Sequence, residues 1–532
     1  MGLNRKTLSL AVGALVLVVV SRLPIAPTAL SFDNVNFAFA IQQFDPWMHQ
    51  PQPPGYPFFV AEARIVDLFF NDAEQTFRLI PIVVTWLSVV LAFFLGERMF
   101  GTKAGILGAL LLVVNPTLWY SGLDSPLRPH LAMFSLLVGY CCWRLWNGEG
   151  RYALWAAFFL GVGGGFRPDL IVYLLPLWCC AMWKGRIQVQ IWIRGIGIIF
   201  LSTMVWLGIA AYAVGGLDRY TLLMWVYSFS SMNQGSVLLR PSSFDWVYQV
   251  VRLLAWNGFG LLSWIWLVPF WIVGRRTLRM PGCAAFISAW IVPGMVIQAL
   301  LHVDAPGHTL FSVPALCLMG GMVIADVSDR LKRFGPLPRF APAGIVFALN
   351  VLFFFNVIRV TFSAPSFAGE LGNVVTKAFI GGLSGTTFED LRSTNLLSES
   401  TVRELKHLIQ DVRPLVIVST HGSAQYWRFL NARIASYYVT DREFWVVADE
   451  LSPPTASRIR GKDLLEIRHG TRVKIPVPRG GRIIWLMDPS SPFREAVSQA
   501  VSLKQEGNIF LTDLSADLSQ FRVQNFEFNV EQ

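Results

Sequence analysis

Residues 31–57 read SFDNVNFAFAIQQFDPWMHQPQPPGYP, a polar and aromatic stretch set between two apolar spans. It sets Asp33, Asn34, Asp45, His49 and a run of prolines beside aromatic rings. Polar groups at a membrane boundary are costly unless they are hydrogen-bonded or used. Upstream, Arg5 and Lys6 precede an apolar segment at 8–20. A cleaved leader has the same pattern, but many further apolar spans follow, so this one reads as a first transmembrane helix.

Composition points the same way. Of 532 residues, 54% are hydrophobic and only 15% charged, and the mean hydropathy is positive. That balance excludes the ordinary soluble classes and indicates a polytopic membrane protein. A bilayer-spanning helix needs about 20 mostly apolar residues. Apolar kernels occur at 8–20, 79–95, 104–120, 131–143, 153–166, 170–183, 196–214, 253–273, 283–301, 310–325 and 343–358, which predicts about eleven transmembrane helices.

The net charge of +10 is distributed as a membrane topology rather than as a nucleic-acid surface. With the N-terminus cytoplasmic, alternate loops carry Arg98 and Lys103, then Arg144 and Arg151, then Lys184, Arg186 and Arg194. Arg275, Arg276 and Arg279 follow, then Arg330, Lys332, Arg333 and Arg339. This is the positive-inside pattern. The outer loops are then 31–78, 121–130, 165–169, 215–252 and 302–309, and everything after 358 is extracytoplasmic. Within the first loop, 57–70 mixes apolar residues with Glu62, Arg64 and Asp67 and predicts an interfacial helix. The loop at 215–252, with Asp218, Arg219, Trp225 and Tyr227, has the length of a lid.

The organisation read from this is a helix bundle at 1–360, bearing the outer loop 31–78, and an extracytoplasmic α/β domain at 361–532. In the tail, 414–419 and 482–486 have the continuous apolar character of buried strands, and helical patterns follow at 423–434 and 492–501. Alternation of strand and helix predicts a small doubly wound sheet. No GxGxxG or GxxxxGK[ST] run opens either helix, so nucleotide binding is not expected. Cys141, Cys142, Cys179, Cys180, Cys283 and Cys317 lie in or beside apolar spans and read as small buried hydrophobes, with no disulfide framework and no thiolate metal site.

None of the kernels contains Asp, Glu, Lys, Arg or His. Ion-coupled carriers use ionisable groups at mid-membrane, so that class is disfavoured. The outer loops instead collect Asp33, Asp45, His49, Asp124, Arg128, His130, Arg167, Asp169, Asp218, Arg219, His302, Asp304 and His308. Taken singly, each has an ordinary reading as loop polarity or as a structural ion pair. Taken together, loops from distant parts of the chain bring them to one face.

The run HQPQPPGYP at 49–57, after an acidic residue and an aromatic-rich helix, resembles the first outer loop of GT-C class glycosyltransferases. The nearest group is family 39, the protein-mannosyltransferase-like enzymes, in which an H-x-P-x-P-P-G-Y or H-P-P-G-type run recurs. RPD at 167–169 and DAPGHTLFSVPAL at 304–316 are similar to family features, with His308 where an aromatic is usual. The family's Asp-Glu pair is here Asp33-Asn34, so only the aspartate carries over.

The resemblance implies an integral-membrane enzyme that moves a sugar from a polyprenyl-phosphate carrier to an acceptor hydroxyl on lipid, glycan or protein, with inversion. It implies Asp33 as the base, with Asp124 second. Arg167, Arg128 and His302 would stabilise the departing phosphate. His49, Tyr56, His130, Asp169 and His308 complete the expected substrate-binding set, and Phe58, Phe59, Trp119 and Tyr120 would line a lipid groove. The one cofactor candidate is a divalent cation on His49 and Asp45, disfavoured because Pro46 breaks the helical i, i+4 spacing. Short loops without retention signals point to a bacterial inner membrane. The competing readings are a polysaccharide ligase or polymerase, whose working loop falls late in the chain, a lipid or glycan flippase, and a noncatalytic scaffold.

Overall fold

The computed structural model describes residues 5–228, 245–273, 281–301, 305–358, 369–410, 414–420, 432–449, 452–460 and 466–531. His302, Asp304, the basic residues Arg275, Arg276 and Arg279, and all but the last three residues of the helix expected at 423–434 lie outside the described residues. Two compact units are present, one of Met1–Ala26 with Pro53–Leu391, the other of Pro27–Gln52 with Arg392–Gln532.

Helices α1 (Arg5–Arg22) and α2 (Phe32–Gln42) open the chain, and α3 (Pro57–Phe70) is the helix expected in the first loop. Next come α4 (Ala73–Phe100), α5 (Thr102–Val114), α6 (Pro116–Asp124), α7 (Pro129–Trp146), α8 (Tyr152–Phe166), α9 (Asp169–Lys184), α10 (Val189–Ala213) and α11 (Leu217–Tyr227). The series continues with α12 (Asp245–Leu262), α13 (Val268–Val273), α14 (Pro281–Leu300), α15 (Val313–Leu331), α16 (Pro336–Phe354), α17 (Gly369–Ser384) and α18 (Phe388–Leu408). Each apolar kernel overlaps a helix, although 214, 301 and 355–358 lie past helix ends and 310–312 precede α15, and two kernels are broken. The kernel at 104–120 bends by 47° between α5 and α6. Its cause is local: Pro116 cannot donate to the α5 ladder, and the Asn115 side chain accepts from the Leu118 amide at 3.0 Å, starting a new helix. The kernel at 253–273 is interrupted by a 3₁₀ turn at Ile265–Leu267.

Among the described residues, five helices are long and apolar enough to cross a membrane, and six if the bent pair counts as one span. Their outer surfaces fit lipid. On α10, Ile193, Phe200, Leu201 and Tyr212 are all exposed, which a soluble protein would not tolerate over so long a helix. Inside the bundle, small residues let backbones meet. A Cβ on Gly321 of α15 would lie 2.3 Å from the Gly108 amide nitrogen of α5, and one on Gly105 would lie 2.6 Å from the Glu97 nitrogen of α4. These close crossings are how helices associate where lipid offers no hydrophobic drive. After the last span, α17 packs along α12, with Leu383 against Ala255.

The second unit contains α19 (Ala432–Tyr438), α20 (Pro492–Ala500) and strands β1 (Leu415–Thr420), β2 (Glu443–Ala448), β3 (Thr455–Arg460), β4 (Glu466–His469), β5 (Val473–Pro478), β6 (Arg482–Leu486), β7 (Lys504–Glu506), β8 (Ile509–Asp513), β9 (Gln520–Val523) and β10 (Phe526–Glu531). Among the described residues, one sheet has the order β4-β3-β2-β1-β6-β8-β7 and a smaller one the order β5-β10-β9. Only the centre is doubly wound: β1 runs parallel to β2 and β6, setting Ile417 opposite both Phe444 and Ile484, while both edges are antiparallel. Val416, Val418, Trp445, Ile483 and Trp485 face the smaller sheet and α20. Ile417, Phe444, Ile484 and Leu486 face α18 and α19. Burial on both faces explains the unbroken apolar runs of β1 and β6.

Gly321→Leu should lower the thermal stability of the detergent-extracted protein by about 1–3 kcal/mol through overpacking against α5. Gly344→Leu, in α16 where a Cβ meets nothing within 4 Å, should leave it unchanged. Equal effects in a thermal-unfolding assay would contradict the close crossing.

Candidate functional site

Some of the outer-loop residues of the first unit come together, Asp124 with Arg128 and Arg167 with Asp169 and His308. Asp124, the last residue of α6, receives a hydrogen bond from the Arg128 guanidinium one turn later. The Arg128 side chain then lies across Gly307, whose Cα has no room for a Cβ beneath it. Gly307 and His308 sit in a 3₁₀ segment, Pro306–Phe311, fixed by its neighbours. The Gln298 side chain donates to the His308 carbonyl at 2.6 Å, and Ser312 Oγ donates to Asn257 Oδ1 at 2.6 Å.

The turn between α8 and α9 supplies the second part. Arg167 donates from Nε and a terminal nitrogen to the two carboxylate oxygens of Asp169, at 3.1 and 2.8 Å. This is the forked geometry that lysine cannot reproduce. Burial works against both charges, but each outweighs that for the other: the Arg167 guanidinium is held above its ordinary value and the Asp169 carboxyl below its own. His308 is near enough to add to the lowering at Asp169, and the Tyr173 ring packs 4.9 Å from that of Phe311 at the end of the 3₁₀ segment. The Tyr56 ring lies 6.0 Å from the Arg167 guanidinium. Tyr56 itself takes a positive φ of 48° at the start of α3, and Tyr220 of α11 donates its hydroxyl to the neighbouring Pro54 carbonyl at 3.0 Å.

His130 is placed differently from its neighbours. It is 0% exposed, with Nδ1 2.9 Å from the Leu127 carbonyl and Nε2 2.7 Å from the Glu62 carboxylate. Its ring stacks on Phe166 and meets the edge of Phe59. Both nitrogens are therefore engaged by protein, and the ring ties α3 and α7 to the end of α8. Phe59 and Trp119 do not line a groove. Phe59 is buried between Phe77 and His130, and Trp119 is buried with its ring stacked 4.2 Å from Phe354.

Asp33 and His49 belong to the second unit. Asp33 lies in the first turn of α2, a position that suits a negative charge. Asp45 accepts from the Trp47 amide at 3.1 Å and so caps the 3₁₀ turn Pro46–Met48, which ends at His49 with φ of 55°. That capping fixes the Asp45 carboxylate on the backbone, and among the described residues no group of three His, Cys, Asp or Glu side chains could hold a metal ion. The peptide bonds before Pro51 and Pro54 are cis.

Several members of these clusters were not singled out in the sequence for their site. Glu62 and Gln298 carry no motif and reveal themselves only by contact, and Gly307, although inside the run at 304–316, shows its part only through the Arg128 side chain lying on it. Asp390, which accepts from the Tyr120 hydroxyl at 3.2 Å, lies some 270 residues away from it.

Residues 51–212 match the family described as dolichyl-phosphate-mannose-protein mannosyltransferase. A curated relative, undecaprenyl phosphate-alpha-4-amino-4-deoxy-L-arabinose arabinosyl transferase 1 of Pseudomonas fluorescens, is 24% identical over 270 residues, which is 48% of this chain and 47% of the relative. The chain thus spans about half the length of the curated relative it matches. Among solved structures, ArnT from Cupriavidus metallidurans in the apo state is similar with a TM-score of 0.55 at 13% identity, over 96% of this chain and 98% of that one. The same protein bound to undecaprenyl phosphate gives 0.51 at 14% identity, over 86% and 97%. The chain therefore has the ArnT-like GT-C fold, and the resemblance read from its first loop holds at the level of fold.

Replacing Asp169 by Asn should leave the Arg167 charge poorly compensated and lower stability by about 1–3 kcal/mol, with partial exposure reducing the effect of a fully buried pair. The double change Arg167→Leu, Asp169→Leu should be milder than either single change in the same unfolding assay. Because the folded carboxyl lies below its ordinary value, the pair's contribution is complete above a pH of about 4 and is lost as pH falls through the lowered folded value.

Proposed function

We propose that this chain is an integral-membrane glycosyltransferase that moves a sugar from a polyprenyl-phosphate carrier to an acceptor hydroxyl. The observation that carries the reading is the fold shared over nearly the whole chain with ArnT, of which one structure holds undecaprenyl phosphate. The family match across 51–212, described by a lipid-phosphate sugar donor, supports the same class. The curated relative is an arabinosyl transferase, which favours a pentose over a hexose as the sugar moved.

The chemistry is one inverting displacement. Asp33 takes the proton of the acceptor hydroxyl as its oxygen attacks the anomeric carbon. The bond from that carbon to the carrier's phosphate oxygen breaks, and the electron pair leaves with the polyprenyl phosphate. Arg167 and Arg128 offer guanidinium donors for the growing phosphate charge. Both are partly committed to carboxylates, which keeps their forks oriented before a phosphate arrives. Tyr56, Asp169 and His308 complete the surroundings of Arg167, and His49 the surroundings of the first-loop turn. Asp124 stands second as base because Arg128 already occupies one of its oxygens. In this reading His130 holds the helices that carry the cluster.

The basic loops and outer polar residues support a bacterial inner-membrane enzyme with a cytoplasmic N-terminus and an extracytoplasmic C-terminal domain. Membranes containing Asp33→Asn at matched protein levels should transfer labelled sugar from a polyprenyl-phosphate donor pool about 10²–10⁴-fold more slowly than wild type. Unchanged transfer would move the base to Asp124, and absence of transfer by wild type across several sugar donors would favour the flippase reading.

A further inference from the structure

We propose that Arg433 is a positioning residue for the transfer reaction, holding the helix that carries Asp33 in register with the turn that carries His49. The inference rests on the proposed role of Asp33 and concerns only residues of the second unit.

Arg433 belongs to α19 and is 6% exposed. Its Nε donates to Asn36 Oδ1 at 2.9 Å, and one terminal nitrogen donates to the Met48 and His49 carbonyls at 2.8 and 3.0 Å. The guanidinium carbon also lies 5.2 Å from the centre of the Phe39 ring. These partners are not arbitrary. Asn36 stands three residues after Asp33, so it shares a helix face with that carboxylate. The Met48 and His49 carbonyls close the 3₁₀ turn, where helix-end acceptors lack intrahelical partners. A single guanidinium therefore bridges the two halves of the first-loop segment. Lysine has the charge but not the planar fork, so it can serve one acceptor direction and not the other.

Two further attachments make α2 dependent on the same region. The Tyr438 hydroxyl accepts from the Leu30 amide at 2.8 Å, and Asn395 Oδ1 accepts from the Thr28 and Ala29 amides at 3.2 and 3.1 Å. These hold the approach to the helix. Arg433 alone among the three links the helix body to the turn. Burial lowers its guanidinium to about 10, which leaves it charged at neutral pH.

The test uses the full chain. In Arg433→Met, hydrogen exchange of the amides at 31–50 should accelerate about tenfold or more, with 57–70 unchanged, because a local opening becomes easier. Unchanged exchange at 31–50 overturns the proposal, whether or not transfer can be measured. In kinetics with a polyprenyl-phosphate sugar, Arg433→Met should lower kcat about 10- to 100-fold with KM for the donor changed less than about threefold. Arg433→Lys should recover part of that loss. If Arg433 acts through Asp33, adding Asp33→Asn to Arg433→Met should cost no more than Asp33→Asn alone. Fully multiplicative effects overturn the proposal. If Asp33→Asn by itself leaves transfer intact, the base assignment fails, and the exchange result still decides the positioning claim.

Discussion

An arginine withdrawn from water keeps its charge and must find acceptors, and much of this structure follows from where those acceptors are. Arg22, at the end of α1, is 2% exposed and donates to the Val113 carbonyl at 2.8 Å, at the end of α5, with the Trp119 ring 5.5 Å away. Arg167 is answered by the Asp169 carboxylate, and Arg433 by an amide and two carbonyls. Guanidinium cannot discharge itself by losing a proton, and an uncompensated buried charge costs several kcal/mol. Each of these side chains therefore fixes the backbone that meets it. Two of the three join parts of the chain roughly 90 or nearly 400 residues apart.

The bilayer sets the complementary constraint. The apolar kernels carry no ionisable side chains, so charge is confined to helix ends and loops. Within the bundle, cohesion comes from close backbone approach at Gly105, Gly108 and Gly321 and from small polar contacts such as Ser135 to the Phe311 carbonyl at 2.5 Å. The polar cluster can then form only where helices end. Asp124 closes α6, Arg167 closes α8, Asp169 opens α9, and His308 sits just before α15.

Helical character was legible in the apolar kernels, but not the number of spans: about eleven were expected, and among the described residues five or six helices have the length and hydropathy to cross a membrane. The bend at Asn115-Pro116 was written in the sequence too, as a cap followed by proline, although the run 104–120 masked it by remaining apolar. In the tail, β1 and β6 stood out because both faces are covered. The edge strands did not: β4 reads EIRH and β7 reads KQE, polar segments whose pairing is decided by neighbours rather than by their own pattern. The site divides along the same line. Arg167 and Asp169 are two residues apart in sequence and announce each other. Glu62 facing His130, Gly307 beneath Arg128, and Asp390 at the Tyr120 hydroxyl depend on tertiary contact, which no local motif encodes.

The first loop is divided between the two compact units. The motif residues 49–57 are continuous in sequence, yet the chain passes from one compact unit to the other between Gln52 and Pro53. Asp33 and His49 fall on one side of that boundary, Tyr56 and the start of α3 on the other. Prolines at 51, 53, 54 and 57 fix φ at four positions of this run. Within the second unit, α2 and the turn at 46–49 are met by Arg433 through Asn36 and two main-chain carbonyls. Carbonyls have no sequence signature. A guanidinium that reads them can bind a distant segment of almost any composition, and the residue supplying it, Arg433, lies in a stretch with no motif of its own. The dependence of an early loop on a late helix is therefore a property of the fold, imposed by hydrogen-bond satisfaction around one buried charge.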